Sequence, residues 1–437
     1  MQNIQKGYLK MTYKEARVYL DEVSKYGSVL GLDTIRALLM ELGNPQEDLR
    51  FIHIAGTNGK GSVLAYTSTI LSEAGYRIGR YVSPTVISYL ERIQIDGQWI
   101  PEEEFTGLVE EVRQAIAKME TKGQGSPTVF EVETAIAFLY FKKKKCDFVV
   151  LETGLGGSLD ATNIVTRTEV AAFASISRDH MGFLGDTLTE IAENKAGIIK
   201  PGCDVVTTAQ KTEVLAVLLQ KAKQLDCPVT VMHPDQAKRT KESWEGQTFT
   251  YHNETFMIHM AGTYQMENAL TAYEVIGALR RRGYHIPAEA VANGLEKTQW
   301  IGRFTCIRRA PLFFVDGAHN EDAAVRLKET VEHLLPNKRR IFIMGVFRDK
   351  EYDKIAQLMA PLADQIYTVN LPDEERSLPA EEMAVSLTRY CSHVEAIGNI
   401  EEAVDAALEH ARTEDVILAF GSLSYLGRVI AYNSKEM

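Results

Sequence analysis

The residues whose types and spacing best fit chemistry form a short glycine-rich segment, 56–62, between an apolar run, 49–55, and a stretch with helical apolar spacing. Glycines let the backbone point its N–H groups at a phosphate, and a helix N-terminus adds positive partial charge. We therefore predict a nucleotide site in which Lys60 lies against the β- and γ-phosphates and Ser62 reaches Mg²⁺. Because Gly61 separates Lys60 from Ser62, unlike the common GxxxxGK[ST] pattern, a plain glycine-rich turn is the alternative. The predicted ATP contacts in this loop are Gly56, Thr57, Asn58, Gly59, Lys60, Gly61 and Ser62.

Two further polar residues follow other predicted strands. Glu152 comes directly after an apolar run, 147–151, and His180 follows a third run, 170–176, by a few residues. The carboxyl ends of parallel strands meet at one edge of a sheet, which is where ligands bind in open α/β sheets. A carboxylate oxygen there suits Mg²⁺, so we predict Glu152 as a metal ligand. For His180, a structural role and a ligand role both remain open.

Lys195 lies on the apolar face of a predicted helix. Thr187 and Glu190 have the spacing of a capping box, which starts this helix, and Lys195 falls seven residues after Leu188 on its apolar stripe. A buried ammonium group is costly, so the side chain either extends its charge to solvent or becomes a neutral amine. A neutral amine can take up CO₂ to become a carbamate, and the residues alone leave both alternatives open.

The C-terminal third of the chain repeats the pattern of polar residues after strands. Asp316 and His319 follow a predicted strand, 312–315, and Ser422 follows the last predicted strand. Together they could hold a small polar substrate, with Asp316 facing an ammonium group and Ser422 a carboxylate. Helix capping is the alternative role for Asp and Ser at such positions. Arg303 lies at the predicted hinge, where its guanidinium could close onto a γ-phosphate.

The elements that must position these residues alternate between short apolar strands and amphipathic helices, as is typical of α/β proteins with parallel sheets. The pattern ends near residue 297 and then restarts, which predicts two domains, 1–297 and 298–437. Within the first, the segment 248–260 alternates around a turn and is predicted to be a hairpin at the sheet edge.

Composition narrows the function classes. The chain has 437 residues with 45% hydrophobic and 24% charged residues, as expected for a globular protein with a large core. Its 48 basic and 59 acidic residues give a net charge of −11, which argues against nucleic acid binding. The N-terminus shows no secretory signal and no segment is long and apolar enough for a membrane span, so we expect no membrane partner and a cytoplasmic location. The cysteines are scattered, which fits a reducing compartment: Cys146, Cys203, Cys227, Cys306 and Cys391.

A set of motifs spread along the whole chain resembles the folylpolyglutamate synthase/dihydrofolate synthase family of the Mur ligase superfamily. The resemblance implies a P-loop, Mur-ligase-like ATPase domain with a mostly parallel sheet, followed by a smaller Rossmann-like α/β domain. The matching segments are GTNGKGS (56–62), Ser83-Pro84, ERI (91–93), Phe130-Glu131, LETGLGG (151–157), LDATN (159–163), Asp179-His180, Leu184-Gly185, KAGIIKPG (195–202), Gln265 with Asn268, GRF (302–304), DGAHN (316–320), Asp349-Lys350 and GSL (421–423).

The resemblance implies an ATP-dependent ligase that joins L-glutamate to the γ-carboxylate of a folate through an acyl phosphate, with dihydropteroate as a second candidate acceptor. It also implies ATP, two Mg²⁺ sites, a carbamylated Lys195 and a monomeric protein. The catalytic residues it implies are Lys60, His180, Lys195 and Arg303. The metal ligands would be Ser62, Ser83, Glu152 and His180, the further nucleotide contacts Asn268, Arg303 and Asp316, and the glutamate or folate contacts Glu131, Asp316, His319 and Ser422.

Five positions depart from the family pattern, which keeps alternatives in view. One alternative is another Mur-type amino-acid ligase, and another is a nucleotide-gated binding protein that uses the loop as a switch. A pseudoenzyme with a decayed folate pocket is the third. The departing residues are Thr85, Ser158, Asn194, Tyr264 and Ile301.

Overall fold

The computed structural model of the chain describes residues 11–24, 31–179 and 181–435. These residues form two α/β units, which we define by their sheets. The N-terminal unit contains an eight-stranded and a three-stranded sheet, and the C-terminal unit contains a six-stranded sheet. The predicted α/β class is confirmed, whereas the predicted ligand His180 lies outside the described residues.

The eight-stranded sheet has the order β4-β3-β2-β5-β1-β6-β7-β8 and is parallel except at β3 and β4. In its centre, Ile54 of one strand pairs with Glu152 of the next, which brings the ends of both strands to one edge. The strands are β1 (Phe51–Ala55), β2 (Ile78–Tyr81), β3 (Ile93–Ile95), β4 (Gln98–Trp99), β5 (Phe148–Glu152), β6 (Thr168–Phe173), β7 (Asp204–Thr207) and β8 (Val229–Val231).

Helices cover both faces of this sheet. They are α1 (Tyr13–Val23), α2 (Asp33–Glu41), α3 (Lys60–Glu73), α4 (Glu102–Thr121), α5 (Val129–Lys143), α6 (Met181–Leu184), α7 (Leu188–Ala196), α8 (Thr212–Gln224), α9 (Thr263–Arg281) and α10 (Ala288–Lys297). Along β5, Phe148 and Val150 pack into the cluster with α3 and α9, while Val149 and Leu151 pack into the cluster with α4 and α5. This alternation explains why β5 is an unbroken apolar run: both of its faces are buried.

The three-stranded sheet corrects one prediction. The segment 248–260 does form a hairpin, but it does not extend the large sheet as predicted. It instead pairs with a preceding strand in a separate antiparallel sheet made of β9 (Lys238–Ser243), β10 (Gly246–Tyr251) and β11 (Glu254–Ile258). The residues of β9 are polar and half to fully exposed, so its sequence carries no apolar alternation that would have revealed it.

The six-stranded sheet has the order β12-β13-β17-β14-β15-β16 and is parallel except for the pairing of β12 with β13. Its strands are β12 (Thr305–Arg309), β13 (Leu312–Val315), β14 (Arg340–Met344), β15 (Gln365–Val369), β16 (Val394–Gly398) and β17 (Val416–Phe420). The helices are α11 (Glu321–Leu334), α12 (Tyr352–Met359), α13 (Ala380–Leu387), α14 (Ile400–His410) and α15 (Leu423–Asn433). No helix among the described residues combines the length and apolarity needed to cross a membrane.

The contact between α3 and α10 is close enough to test by mutation. A Cβ atom at Gly294 would lie 2.5 Å from the Cα of Ile70, so the two helices touch through their backbones. We expect Gly294→Ala to lower the free energy of unfolding by about 1–3 kcal/mol, because the extra methyl group overpacks the contact. Urea unfolding followed by circular dichroism measures this.

The matched control is Gly277→Ala in α9, where the nearest atoms to an added Cβ are 3.7 Å and 3.8 Å away on the flexible side chains of Arg281 and Glu274. There the change should raise the free energy of unfolding by about 0.5–1 kcal/mol, since alanine favours a helix more than glycine does. Equal stability of the two variants would contradict the backbone contact.

Candidate active site

A cleft between the carboxyl edges of the two large sheets contains most of the predicted site residues. Its lining comes from the loop after β1, the ends of β5 and β6, helix α7 and the start of α9 on one side. The loop after β13 and the first residues of α11 and α15 line the other side. Both units therefore line the cleft, and Arg303, at the predicted hinge between them, is among the lining residues.

The glycine loop, 56–62, lies tightly packed at the base of this cleft. Gly59 has a φ of +90°, and a Cβ atom there would lie 2.5 Å from Oδ1 of Asn268. A Cβ atom at Gly61 would lie 2.6 Å from Nε1 of Trp300. Glycine is thus required at both positions, for backbone conformation at the first and for space at both.

The loop after β6 fixes the other end of the glycine loop. The backbone N–H groups of Thr57 and Asn58 both donate to the carbonyl oxygen of Ser175, at 2.7 Å and 3.2 Å. The Thr57 hydroxyl donates to the carbonyl oxygen of Ser177 at 2.9 Å and accepts from its N–H at 3.1 Å. The loop is held in place by protein contacts, so it does not have to be ordered by a ligand.

Lys60 and Glu152 face each other across the loop. The Lys60 Nζ atom lies 4.0 Å from Oε1 of Glu152 and donates to the carbonyl oxygen of Thr57 at 3.3 Å. Glu152 is buried, and Ser83 donates its backbone N–H to Oε2 at 3.3 Å. Burial raises the pKa of Glu152, while the positive charges of Lys60 and Arg303 oppose that rise.

The oxygen atoms near Lys60 fit a magnesium ion. The hydroxyl of Ser62 is fully buried and has no hydrogen-bond partner among the described residues, so its oxygen is available to a ligand. Within the described ranges, no group of three or more His, Cys, Asp or Glu side chains is arranged to hold a metal. One carboxylate, hydroxyl oxygens and water form the kind of sparse set that Mg²⁺ accepts, because this ion keeps several of its waters.

Lys195 points inward to the glycine loop. Helix α7 begins with the predicted capping box, in which Thr187 and Glu190 bind each other's backbone N–H groups. The Nζ atom of Lys195 donates to the carbonyl oxygen of Gly56 at 2.9 Å, and the residue is 4% exposed. Burial, and then the nearby charge of Lys60, lower the pKa of Lys195 to about 7. The alternative in which the side chain extends to solvent is therefore wrong.

Asp316 organises the side of the cleft that belongs to the C-terminal unit. Its carboxylate accepts the backbone N–H groups of Phe304 and Ala318, both at 2.8 Å, and the hydroxyl of Tyr264 at 3.4 Å. Burial raises its pKa, while the positive charge of Arg303 opposes the rise. Asp316 therefore holds the backbone next to Arg303 in place.

Arg303 and Asn268 both line the cleft from the hinge side. The Arg303 guanidinium donates to the carbonyl oxygen of Gly302 at 2.9 Å. The amide of Asn268 donates to Oε1 of Gln265 at 3.1 Å, which fixes its orientation next to the glycine loop. Both predicted nucleotide contacts are thus placed within the same cleft as Lys60.

Two of the three further substrate candidates lie outside the cleft lining. His319 lines the cleft, and its Nδ1 atom lies 2.8 Å from the carbonyl oxygen of Gly317. Ser422 instead accepts from the backbone N–H of Ser424 as the N-cap of α15, and Glu131 forms a capping box with Thr128. Neither Ser422 nor Glu131 is among the described residues that line the cleft, so their substrate roles stay predictions.

Sequence reasoning gave no role to several residues that meet here. Asp179 and Lys350 form an ion pair at 2.8 Å across the cleft, and Asn320 joins Asp179 to Asn58. Their positions after strands β6, β13 and β14 were the available signal, since that is where the other site residues lie. Their pairing could not be inferred because 171 residues separate Asp179 from Lys350.

Two of the residues that depart from the family pattern contact each other. The backbone N–H and the hydroxyl of Ser158 both donate to the carbonyl oxygen of Asn194, at 2.8 Å and 2.9 Å. A Cβ atom at Gly197 would lie 2.1 Å from the Ser158 hydroxyl oxygen, so Ser158 packs directly against this glycine and leaves no room for a side chain there. Ser158 therefore binds the last turn of helix α7, which carries Lys195.

Two segments of the chain match known domain families of one class of protein. Residues 54–276 match the Mur ligase middle domain, and residues 302–423 match the glutamate ligase domain of Mur ligases. Together with the cleft between two α/β units, these matches define a protein of the Mur ligase class. The glycine loop lies in the first matched segment and Asp316 lies in the second.

Relatives along the full chain give the family. The dihydrofolate synthase/folylpolyglutamate synthase of Bacillus subtilis is 33% identical over 95% of this chain and 98% of its own. The Mycobacterium tuberculosis folylpolyglutamate synthase complexed with ADP and AMPPCP superposes with a TM-score of 0.87 at 28% identity, covering 96% and 98% of the two chains. Escherichia coli FolC in complex with DHPP and ADP gives a TM-score of 0.85 at 28% identity, covering 98% of each chain. The chain belongs to the dihydrofolate synthase/folylpolyglutamate synthase family.

Proposed function

We propose that this protein is an ATP-dependent ligase that adds L-glutamate to the γ-carboxylate of a folate. The observation that carries this proposal is the single cleft in which the glycine loop with Lys60 faces the glutamate-ligase unit. Dihydropteroate is a second candidate acceptor, because the Bacillus subtilis relative is named for both activities.

The reaction order follows from charge. A carboxylate is a poor electrophile, so an oxygen of the folate γ-carboxylate first attacks the γ-phosphorus of ATP, and ADP leaves with the electrons of the broken P–O bond. The amine of glutamate then attacks the acyl carbon, the C–O bond to phosphate breaks, and inorganic phosphate leaves as the amine loses a proton. In this scheme Lys60 and Arg303 neutralise charge on the transferring phosphoryl group.

Two Mg²⁺ ions complete the nucleotide site in this proposal. Ser62, with its unpartnered buried hydroxyl, would contact one ion, and Ser83, Glu152 and His180 would hold the other. Bound magnesium supplies charge neutralisation and orientation of the phosphate oxygens. The protein's own contribution is the glycine loop, which its contacts to Ser175 hold in place before nucleotide arrives.

We also propose that Lys195 is carbamylated. The lowered pKa of Lys195, about 7, leaves a large share of neutral amine at neutral pH. The amine nitrogen would attack CO₂, forming an N–C bond as one C–O π bond opens, and a proton would leave to solvent. The product is an anionic group beside Lys60, where it would hold that ammonium towards the phosphates and give Lys195 a charge of the opposite sign.

The substrate contacts remain proposals of the same kind. Asn268, Arg303 and Asp316 would bind or position the nucleotide, His319 and Ser422 would bind glutamate, and Glu131 would lie on the folate side. We further propose a monomer that divides into domains 1–297 and 298–437. A cytoplasmic location is supported by the five cysteines, all of which are free thiols.

The test is product analysis by mass spectrometry with ATP, Mg²⁺ and L-glutamate. Either tetrahydrofolate or dihydropteroate is the acceptor, and we expect a product heavier by one glutamate residue with ADP released in step. Lys60→Ala is the matched negative control. ADP release that depends on neither acceptor nor glutamate would instead favour a nucleotide-gated binding protein, and a product formed from another acid would favour a different Mur-type ligase.

A further inference from the structure

A polar network crosses the cleft beside the glycine loop. Asn58 and Asp179 belong to the N-terminal unit, and Asn320, Asp322 and Lys350 belong to the C-terminal unit. We call these five residues the cross-cleft network. Every hydrogen bond discussed below joins one unit to the other, apart from one helix cap, so the network exists only while the cleft is closed.

Asn58 commits its side chain to this network. Its Nδ2 atom donates to Oδ1 of Asn320 at 3.2 Å and to Oδ2 of Asp322 at 3.0 Å, and its Oδ1 atom accepts from Nδ2 of Asn320 at 3.1 Å. Asn320 also caps α11 by accepting the backbone N–H of Ala323 at 2.9 Å. The glycine loop is thereby joined to the first turn of a C-terminal helix, and the Asn58 amide faces protein where phosphate contact was predicted.

Lys350 provides the charge that this network requires. Its Nζ atom lies 2.8 Å from Oδ1 of Asp179, and the two side chains are 8% and 11% exposed. The other carboxylate oxygen of Asp179 accepts from Asn320 at 3.1 Å. A nearly buried carboxylate with a cation on one oxygen and an amide on the other is well satisfied, and the Nε2 atom of His319 lies 3.7 Å from the second oxygen. Removal of Lys350 takes away the positive charge that lies 2.8 Å from this carboxylate, which is costly at a nearly buried site.

We propose that Lys350 is a positioning residue for ligation, which holds the C-terminal unit closed over the glycine loop through Asp179, Asn320 and Asn58. This inference rests on the proposed function, because the closed cleft would protect the acyl phosphate of that reaction from water. When the units open, Asp179 and Lys350 become hydrated separately, and water reaches the cleft. Closure then decides whether the acyl phosphate reacts with the glutamate amine or is hydrolysed.

The experiment compares Lys350→Gln with Lys354→Gln. Lys354 lies four residues further along the chain, in α12, is 48% exposed and pairs with Glu321 and Glu351 of its own unit. ADP release and ligated product are measured in the same reactions. Wild type and Lys354→Gln should release about one ADP per product, whereas Lys350→Gln should lose roughly tenfold or more in ligation kcat and release several ADP per product, because a buried cross-unit pair is broken.

A second readout does not depend on the folate substrate. Small-angle X-ray scattering with AMPPCP should show a larger radius of gyration for Lys350→Gln than for wild type or Lys354→Gln. Lys350→Arg keeps the charge and should restore most of the coupling between ADP release and ligation. This conservative variant also serves if Lys350→Gln fails to fold, in which case a wild-type-like coupling ratio for Arg supports the assignment.

Two results would overturn the inference. One is a folded Lys350→Gln protein with an unchanged ratio of ADP to product, whatever happens to its kcat. A merely structural role would lower ADP release and ligation together and would leave that ratio unchanged. The other is a Lys350→Arg variant that is uncoupled as strongly as Lys350→Gln. If wild type ligates glutamate to no folate acceptor, the proposed function fails, while the scattering comparison still tests the closure.

Discussion

Replacing Lys60 with alanine should reduce kcat for ligation by roughly a thousandfold, the size expected when a preorganised charge is removed from a developing anion. The glycine loop and its anchoring at Ser175 remain, so the protein should still fold. The Nζ atom of Lys60 lies at the base of the cleft, 4.0 Å from Oε1 of Glu152 and 3.3 Å from the carbonyl oxygen of Thr57, where it can face a charged ligand. Steady-state kinetics with varied ATP measures the effect.

The matched control is Lys297→Ala. Lys297 pairs at 2.7 Å with Glu73, at the far end of the same helix α3 that begins with Lys60, and its side chain is 59% exposed. This surface pair should contribute little, so kcat should stay within about twofold of wild type. A Lys60→Ala protein with near-wild-type kcat would refute the assignment of the glycine loop to phosphate.

Loss of Lys195 should be nearly as damaging, with a distinctive chemical rescue. We expect Lys195→Ala to lose ligation activity because the proposed carbamate anion beside Lys60 is missing, and formate or acetate at high concentration should restore part of it. The same acids should not rescue Lys60→Ala, which lacks a cation. Unimpaired turnover by Lys195→Ala would rule out the carbamate.

The wild-type protein should also show a dependence on pH and CO₂. A pKa of about 7 means that the neutral share of Lys195 rises from roughly a tenth at about pH 6 to roughly nine tenths at about pH 8. Because only the neutral amine attacks CO₂, activation by bicarbonate should be weak on the acidic side and stronger above neutrality. Preincubation in CO₂-depleted buffer at about pH 8 and subsequent addition of bicarbonate measures this as a slow gain in rate.

The central strands could be predicted from sequence because burial on both faces makes them continuous apolar runs. Such runs mark the ends of β1 and β5, and these ends predict that Lys60 and Glu152 lie at one edge of the sheet. The strands β12 and β16 have only half-buried or exposed residues, and neither shows the apolar pattern by which a strand is recognised. Edge strands are supported by one neighbour, so their sequences are less constrained.

Local signals could be predicted from the sequence, whereas contacts between distant residues could not. The capping box of Thr187 and Glu190 was predicted from its spacing, and Thr128 with Glu131 has the identical spacing, so the capping role of Glu131 was equally open to prediction. The pairing of Asp179 with Lys350 has no such signature, because it depends on how two separately folded sheets meet. A capping box depends on four consecutive residues, whereas the cleft depends on contacts between segments from the whole chain.

The register of β5 on β1, in which Ile54 pairs with Glu152, sets the position of the Glu152 carboxylate in the site. If β5 slipped by one residue along β1, Glu152 would move by about 3.3 Å and turn to the opposite face of the sheet. Its carboxylate would then enter an apolar layer and leave Lys60 without a counter-charge. Correct alignment of β5 on β1 therefore sets both the packing of the core and the position of the proposed metal ligand, and a misaligned chain would lose the two together.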